Sequence, residues 1–455
     1  MGTIKRFEDN ESSLQKNKTN YMKRYLTIVV LLSFGLMSWA QDDVYPAKEY
    51  KGVLFITNGT IHVGNGQVIE NGTIKVGNGK IVQVGQNISV TQDNAKVVDA
   101  QGGQIYPGLI LPVTDLGLKE IAASVRGSDD YFELGDLNPN IRSIVAYNTD
   151  SKIINTLKAN GILLAGVTPQ GGTISGSSSV VQLDAWNWED AAYKMDNGIH
   201  LNMPSFIARP TRFARLSGET PTDPTKESLD KIEEIKSFFR QAKAYLAEPS
   251  HKEVNLKFEA VRGLFDKKQK LFVHANQVKQ MLIAVDFAKE FGFDVVIVGA
   301  SESFLIAPLL KQNNIAVILG LEHELPATED DDVDQPYKTP AQLQQAGVLF
   351  ALNDDHEESR YRNLMFNAGT AAAYGLSKEQ ALQAITLNSA KILGIDDRTG
   401  SIEVGKDANI VISKGDILDM RTSIPTHAFI QGREVSLENK QTQLYERYLK
   451  KYGLN

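Results

Sequence analysis

The chain has 455 residues, 42% of them apolar and 23% charged, a balance that excludes a disordered chain or a coiled coil. A formal net charge of −7 argues against a nucleic-acid partner, which would favour a basic patch. Cysteine is absent, which excludes disulfides, thiolate catalysis and thiolate metal sites, and seven histidines is a thin supply for a multi-histidine centre.

In chain order the first feature is an export signal that starts at Met22. In "MKRYLTIVVLLSFGLMSWAQ", Lys23 and Arg24 precede the apolar run Leu26 to Met37, and Ser38-Trp39-Ala40 offers small residues where a signal peptidase reads. Cleavage is expected before Gln41. An uncleaved anchor is the alternative, but the run falls short of the about 20 residues that a bilayer span requires. Residues 1–21 are polar and without periodicity. The expectation is a soluble mature protein in a periplasm or outside the cell, a setting that the lack of cysteine suits.

Residues 53–100 carry short β-branched runs, "VLFITNGTIHVG" and "QVIENGTIKVGNGKIVQVG" among them. Asn-Gly stands at 58–59, 65–66, 71–72 and 78–79, the chemistry of tight hairpins. The same texture returns in "GSIEVGKDANIVISKGD" (400–416) and "THAFIQGREV" (426–435). Residues 44–106 and 396–437 are therefore expected to form one composite β-sandwich domain.

Between these flanks, strand-like runs at 161–167, 271–275, 294–300, 314–320 and 347–352 alternate with helical periodicity at 151–160, 277–292, 302–312, 339–346 and 378–393. Ser377 with Gln380 three residues on is a capping-box pattern. Alternating strands and helices predict a parallel sheet. The fold class is α/β, a (β/α)8 TIM barrel over residues 107–395. No Gly-x-Gly-x-x-Gly follows a strand, against dinucleotide binding. Residues 219–270 break the rhythm: a charged helical insertion, either a lid or simply solvated helices.

Three segments carry a resemblance: "NGTIHVGNGQVIENGTIKVGNGKIVQVG", "VVDAQGGQIYPGLI" and "AAAYGLSKEQALQAITLNSAKILGIDDRTGSIEVGKDANIVI". On these the chain resembles the amidohydrolase superfamily, in its secreted imidazolonepropionase-like branch. The resemblance implies one or two divalent metals, zinc foremost, at the C-terminal mouth of the barrel. It also implies a His-x-His on strand one, a carboxylated lysine in the middle, a His on each of strands five and six, and an Asp on strand eight. There the metal would lower the pKa of bound water to about 7, and the Asp would orient it and take its proton.

Much of that pattern is absent from this chain. The strand-one histidines are replaced by Val113 and Asp115, no lysine lies between Lys158 and Lys194 (Gln182 and Leu183 stand where it was sought), and strand six reads Val298-Gly299. What the resemblance carries over is His274 in "LFVHANQ" as a metal ligand and Asp354 in "LNDDHEES" as ligand and catalytic base. Asp115 and His356 would complete the shell, with His323 a further option. The Gly/Ser-rich stretch 168–190 offers a second constellation, in which Gly172 and Ser177 cradle a substrate group and Trp186 walls the pocket. It can equally be a tight loop packed on the barrel. His62, His200, His251 and His427 are assigned no role.

Two functions remain open. One is a hydrolase of non-peptide carbon–nitrogen bonds with a reduced mono-metal site. The other is a catalytically inactive homologue that binds a small molecule or pairs with an intact relative. Either would have a small-molecule ligand and no nucleic acid, and either could form a homo-oligomer or a hetero-oligomer with a related amidohydrolase.

Overall fold

A computed structural model describes residues 44–90, 95–120, 130–207, 224–326, 330–354 and 360–454. The export signal at 22–40 lies outside these residues. Among the described residues no helix is long and apolar enough to cross a membrane. The account below concerns the compact unit Pro46–Asn455.

Two eight-stranded sheets organise it. The first is built by both flanks of the chain. Strands β1 (Val53–His62), β2 (Val68–Gly77), β3 (Lys80–Gly85), β4 (Lys96–Asp99) and β5 (Gln104–Pro107) come from the N-terminal flank. The C-terminal flank supplies β14 (Ile410–Ser413), β15 (Pro425–Ile430) and β16 (Arg433–Val435), in the order β16-β15-β14-β5-β1-β2-β3 with β4 on β1. The antiparallel pair β14–β5 joins the two flanks, Ile412 facing Ile105. Leu54, Ile56, Ile74, Ile105, Ile410 and Phe429 form its own core.

Of the four Asn-Gly hairpin signals, those at 58–59 and 71–72 make no turn. Asn58 and Asn71 sit inside β1 and β2 with left-handed φ of 57° and 49°, and Gly59 pairs with Gly72 across the ladder. These are bulges: an Asn tolerates the left-handed conformation, so the strand kinks and continues. The turns fall at 63–67 and 78–79.

The second sheet is the barrel: β6 (Leu109–Thr114), β7 (Ile162–Val167), β8 (Ile174–Gln182), β9 (Ala192–Asn202), β10 (Lys270–Ala275), β11 (Val295–Gly299), β12 (Ala316–Leu319) and β13 (Phe350–Leu352), paired in chain order. The first and last strands are bridged by a side chain, the Val113 N–H donating to Asn353 Oδ1 at 3.2 Å. Helices α1 (Lys152–Ala159), α2 (Pro224–Ala247), α3 (Val278–Phe291), α4 (Ala307–Gln312), α5 (Gln335–Ala346), α6 (Leu364–Ala373), α7 (Lys378–Ala384) and α8 (Leu387–Leu393) surround it. Such cover explains fully buried runs like Ile162–Val167, apolar on both faces. At α7 the Ser377–Gln380 capping box is formed on both sides.

One strand departs from the all-parallel expectation. β8 runs antiparallel to both neighbours. Only residues 168–173 join β7 to β8, and a crossover to a parallel strand needs a dozen or more residues, so the chain must return as a hairpin. The expected insertion at 219–270 is also different in kind. From residue 224 it supplies the helical crossover between β9 and β10. Its charges lie outward, while Ile235 and Phe239 of α2 are fully buried and the Phe239 ring meets Phe287 and Phe291 of α3 edge-on or tilted. A further helix, α9 (Lys440–Tyr452), follows the sandwich and buries none of its side chains.

Candidate active site

The C-terminal ends of β9 to β13 define the barrel mouth, and each brings a polar group to it. His274 is the penultimate residue of β10, a half-buried ring at the end of an apolar strand. Beside it on β9 stands His200, level with Phe272 in the parallel register. Side chains alternate along a strand, so His200, Phe272 and His274 share one face. His200 stacks on Phe272 with centroids 4.8 Å apart, and its Nδ1 lies 2.9 Å from His274 Nε2. Burial, with the neighbouring imidazole adding to it, holds His200 far below the ordinary histidine range. Burial alone pushes His274 down to about 4. Both rings are neutral at pH 7.

The sequence assigns His200 no role. The structure puts it in the middle of the mouth. The signal was present in "AYKMDNGIHLN", where Ile199 and Leu201 flank it in strand alternation. A second omission is Glu322, just beyond β12, only 2% exposed and with neither carboxyl oxygen bonded. Burial raises its pKa well above the carboxylate range, which favours the neutral acid. It borders a cavity of about 450 Å³ together with Asn276, Ser301, Glu302 and Gln335.

The remaining sequence candidates stand at other strand ends or in the loops beyond them. Asp354 follows β13, is 1% exposed, and has Asn367 Nδ2 at 3.4 Å from Oδ2. Asp115, 4% exposed at the end of β6, accepts from the Tyr361 hydroxyl and, at 3.2 Å, from Gln170 Nε2. His323 is exposed and bonded to Thr370 Oγ1 at 2.7 Å. His356 lies outside the described residues.

These donors do not fit the catalytic metal that the resemblance implies. Such a zinc takes three protein ligands and a water. Among the described residues no three His, Asp or Glu side chains converge in a way that could hold an ion. The histidine pair cannot supply two of them as it stands. Two nitrogens on one tetrahedral zinc, each about 2.05 Å from it, would lie roughly 3.3 Å apart, whereas these sit at hydrogen-bond distance, 2.9 Å. Asp115 is engaged by a phenol and an amide.

The Gly/Ser constellation is likewise not a pocket. Residues 174–182 are the buried strand β8, paired on both edges. Its reversal sends Gly172 and Trp186 to opposite ends of the barrel. Gly172 is in the mouth-side turn at φ +62°, its carbonyl accepting from Asn202 Nδ2 at 2.9 Å. Ser177 is 3% exposed and donates to Asp196 Oδ1 at 2.9 Å. Trp186, 63% exposed, lies near Asp184 and Arg433 at the base.

Comparison with known proteins agrees with this architecture. Residues 273–436 match the family model described as Amidohydrolase family. An amidohydrolase structure from Thermotoga maritima superposes with a TM-score of 0.73 at 28% identity, over 84% of this chain and 99% of that one. An imidazolonepropionase from Picrophilus torridus is 29% identical over 145 residues, 31% of this chain and 35% of that protein. An amidohydrolase from Hapsidospora irregularis is 22% identical over 385 residues, 76% of this chain and 37% of that protein. The chain thus spans a little over a third of the length of these two curated relatives. Divalent metals are general in this family. With the barrel, the composite sandwich and a match along nearly the whole Thermotoga chain, these likenesses support the amidohydrolase superfamily, with imidazolonepropionases among the similar proteins.

Proposed function

We propose that this protein hydrolyses carbon–nitrogen bonds other than peptide bonds in a small molecule, at the barrel mouth, outside the cytoplasm. The observation that supports this most is the likeness to the Thermotoga amidohydrolase along 99% of that chain, with His274 and Asp354 standing at the ends of β10 and β13. In this reading Asp354 takes the proton of the attacking water, and His274 meets the substrate. The relatives are named as enzymes, which lends no support to the inactive-homologue alternative. The export-signal pattern at 22–40 is what supports a location outside the cytoplasm.

Zinc enters no step here, because the described donors do not assemble a three-ligand site. Elemental mass spectrometry of untagged protein is expected to find well under one equivalent of zinc, manganese or iron. A full equivalent that disappears in His274→Ala would overturn that part of the reading. For the activity itself, purified protein is offered a panel of cyclic amides and amino-substituted heterocycles, with ring opening and ammonia release followed directly. Turnover of at least one class is expected, and Asp354→Asn should cut its kcat/KM by about 10²–10⁴, the usual contribution of a general base. No turnover across the panel, or an unaffected Asp354→Asn variant, would sink the proposal.

A further inference from the structure

Among the described residues only one ring nitrogen of His274 has a partner: Nε2 faces His200 Nδ1 at 2.9 Å, and the side chain, unlike that of His200, is only partly buried. His200 is enclosed: 1% exposed, stacked on Phe272, with Nε2 buried and unbonded.

One proton lies between the two facing nitrogens, and a neutral imidazole carries only one. Two arrangements are therefore available. If His274 donates from Nε2, His200 must keep its own proton on Nε2, a buried N–H with no acceptor. If His200 donates from Nδ1, what is left buried is a bare lone pair. Buried N–H groups left without an acceptor are rare in folded proteins. The second arrangement is the one that leaves no such N–H on His200, and it places the His274 proton on Nδ1.

The geometry points to His200 as a positioning residue that locks His274 in its Nδ1–H tautomer, so that the mouth presents a neutral N–H donor to a carbonyl oxygen or ring nitrogen of the substrate. A neutral imidazole N–H is a competent electrophile toward such an acceptor. The same bond caps Nε2, so His274 cannot offer that nitrogen to an ion without first losing His200. This deepens the hydrolase reading and rests on it only for what accepts the bond. The tautomer itself can be measured without substrate.

The experiment is long-range ¹H–¹⁵N correlation NMR at pH 7.5 on full-length protein with ¹⁵N-labelled histidine. His274 is assigned by the signals missing from His274→Gln. Wild type should show Nδ1 of His274 protonated and Nε2 in the shift range of an acceptor nitrogen. His200→Asn, whose amide can still donate, should keep that pattern, while His200→Phe should move the majority of His274 to the Nε2–H form. A wild-type His274 protonated on Nε2 would overturn the inference, as would a tautomer unmoved in His200→Phe. Should His200→Phe fail to fold, the wild-type and His200→Asn spectra decide between the same two outcomes. Loss of turnover with the tautomer intact would count against the hydrolase reading alone.

Discussion

The two ends of the barrel treat buried carboxyl groups in opposite ways. At the base, the buried carboxylates Asp184 and Asp407 are answered. Asp184, beyond the end of β8, accepts from Lys158 Nζ at 2.9 Å, from Arg433 at 3.3 Å and from the Ala47 N–H at 2.8 Å. Asp407 in the sandwich takes the Tyr193 hydroxyl at 2.6 Å, Lys80 at 2.8 Å and Arg398 at 3.1 Å, with the Arg398 guanidinium 4.0 Å from the Tyr193 ring centre. These bonds tie residues of the sandwich to residues of the barrel. At the mouth, His200 Nε2, both oxygens of Glu322 and Oδ1 of Asn367 are buried without partners. Each such group costs on the order of 1–3 kcal/mol relative to a satisfied one. The base is built to hold, and the mouth keeps groups in states they would not adopt in water.

The strongest test of that contrast is at the base. Lys158→Met leaves Asp184 buried with Arg433 as its only cation, and removing one member of a buried pair costs about 3–5 kcal/mol. Urea unfolding should show a loss of that size. A loss under about 1 kcal/mol would mean the base is no better braced than the surface.

Next comes acid. Both His200 and His274 have folded pKa values below the unfolded value of about 6.5. As pH falls past that value the unfolded chain gains protons that the folded rings refuse, so stability declines. Between pH 6.5 and 5.5 His274, held at about 4, accounts for about 1 kcal/mol, His200 acts in the same direction, and His274→Gln should remove its own share of the decline. A wild-type urea midpoint that stays level over this interval would contradict the buried neutral pair.

The smallest effect lies on the alkaline side. Glu322 has a raised folded pKa, so its contribution is complete below the unfolded value of about 4.3 and is lost as pH rises toward the folded one. The loss accrues with each pH step between those two values. Glu322→Gln, neutral at every pH, should be more stable than wild type at pH 7, by a margin that shrinks as pH is lowered. Equal stability at both pH values would mean the carboxyl is ionised and has found a partner.

The sequence was most legible where periodicity and chain connectivity agree. Strands at 162–167, 270–275 and 295–299 and the capped helix at Ser377 follow directly from apolar runs and cap chemistry. It misled where one local signal serves two structures. Asn-Gly suits a turn or a bulge equally, and the choice at 58–59 depends on the partner strand. "ISGSSSVVQ" has the composition of a loop, yet its small side chains are what two flanking strands can cover closely in β8. At the site, His274 and Asp354 were found because strand ends can be counted. His200 and Glu322 were not, since nothing in a single sequence shows that β9 lies beside β10 in register, or that a glutamate in a charged stretch will be sealed from water.

The reversal of β8 also bears on how this scaffold can change. In a parallel barrel the segment after each strand opens onto the substrate, and altering that segment alters what is bound without disturbing the frame. Here the segment after β8 is delivered to the opposite end, where Asp184 receives Lys158 and Arg433. One of the positions through which a barrel ordinarily acquires new specificity has been converted into a structural joint, so variation there would be judged by whether the two sheets stay together. New specificity in this chain would have to arise from the ends of the other strands and from the short turn at 168–173.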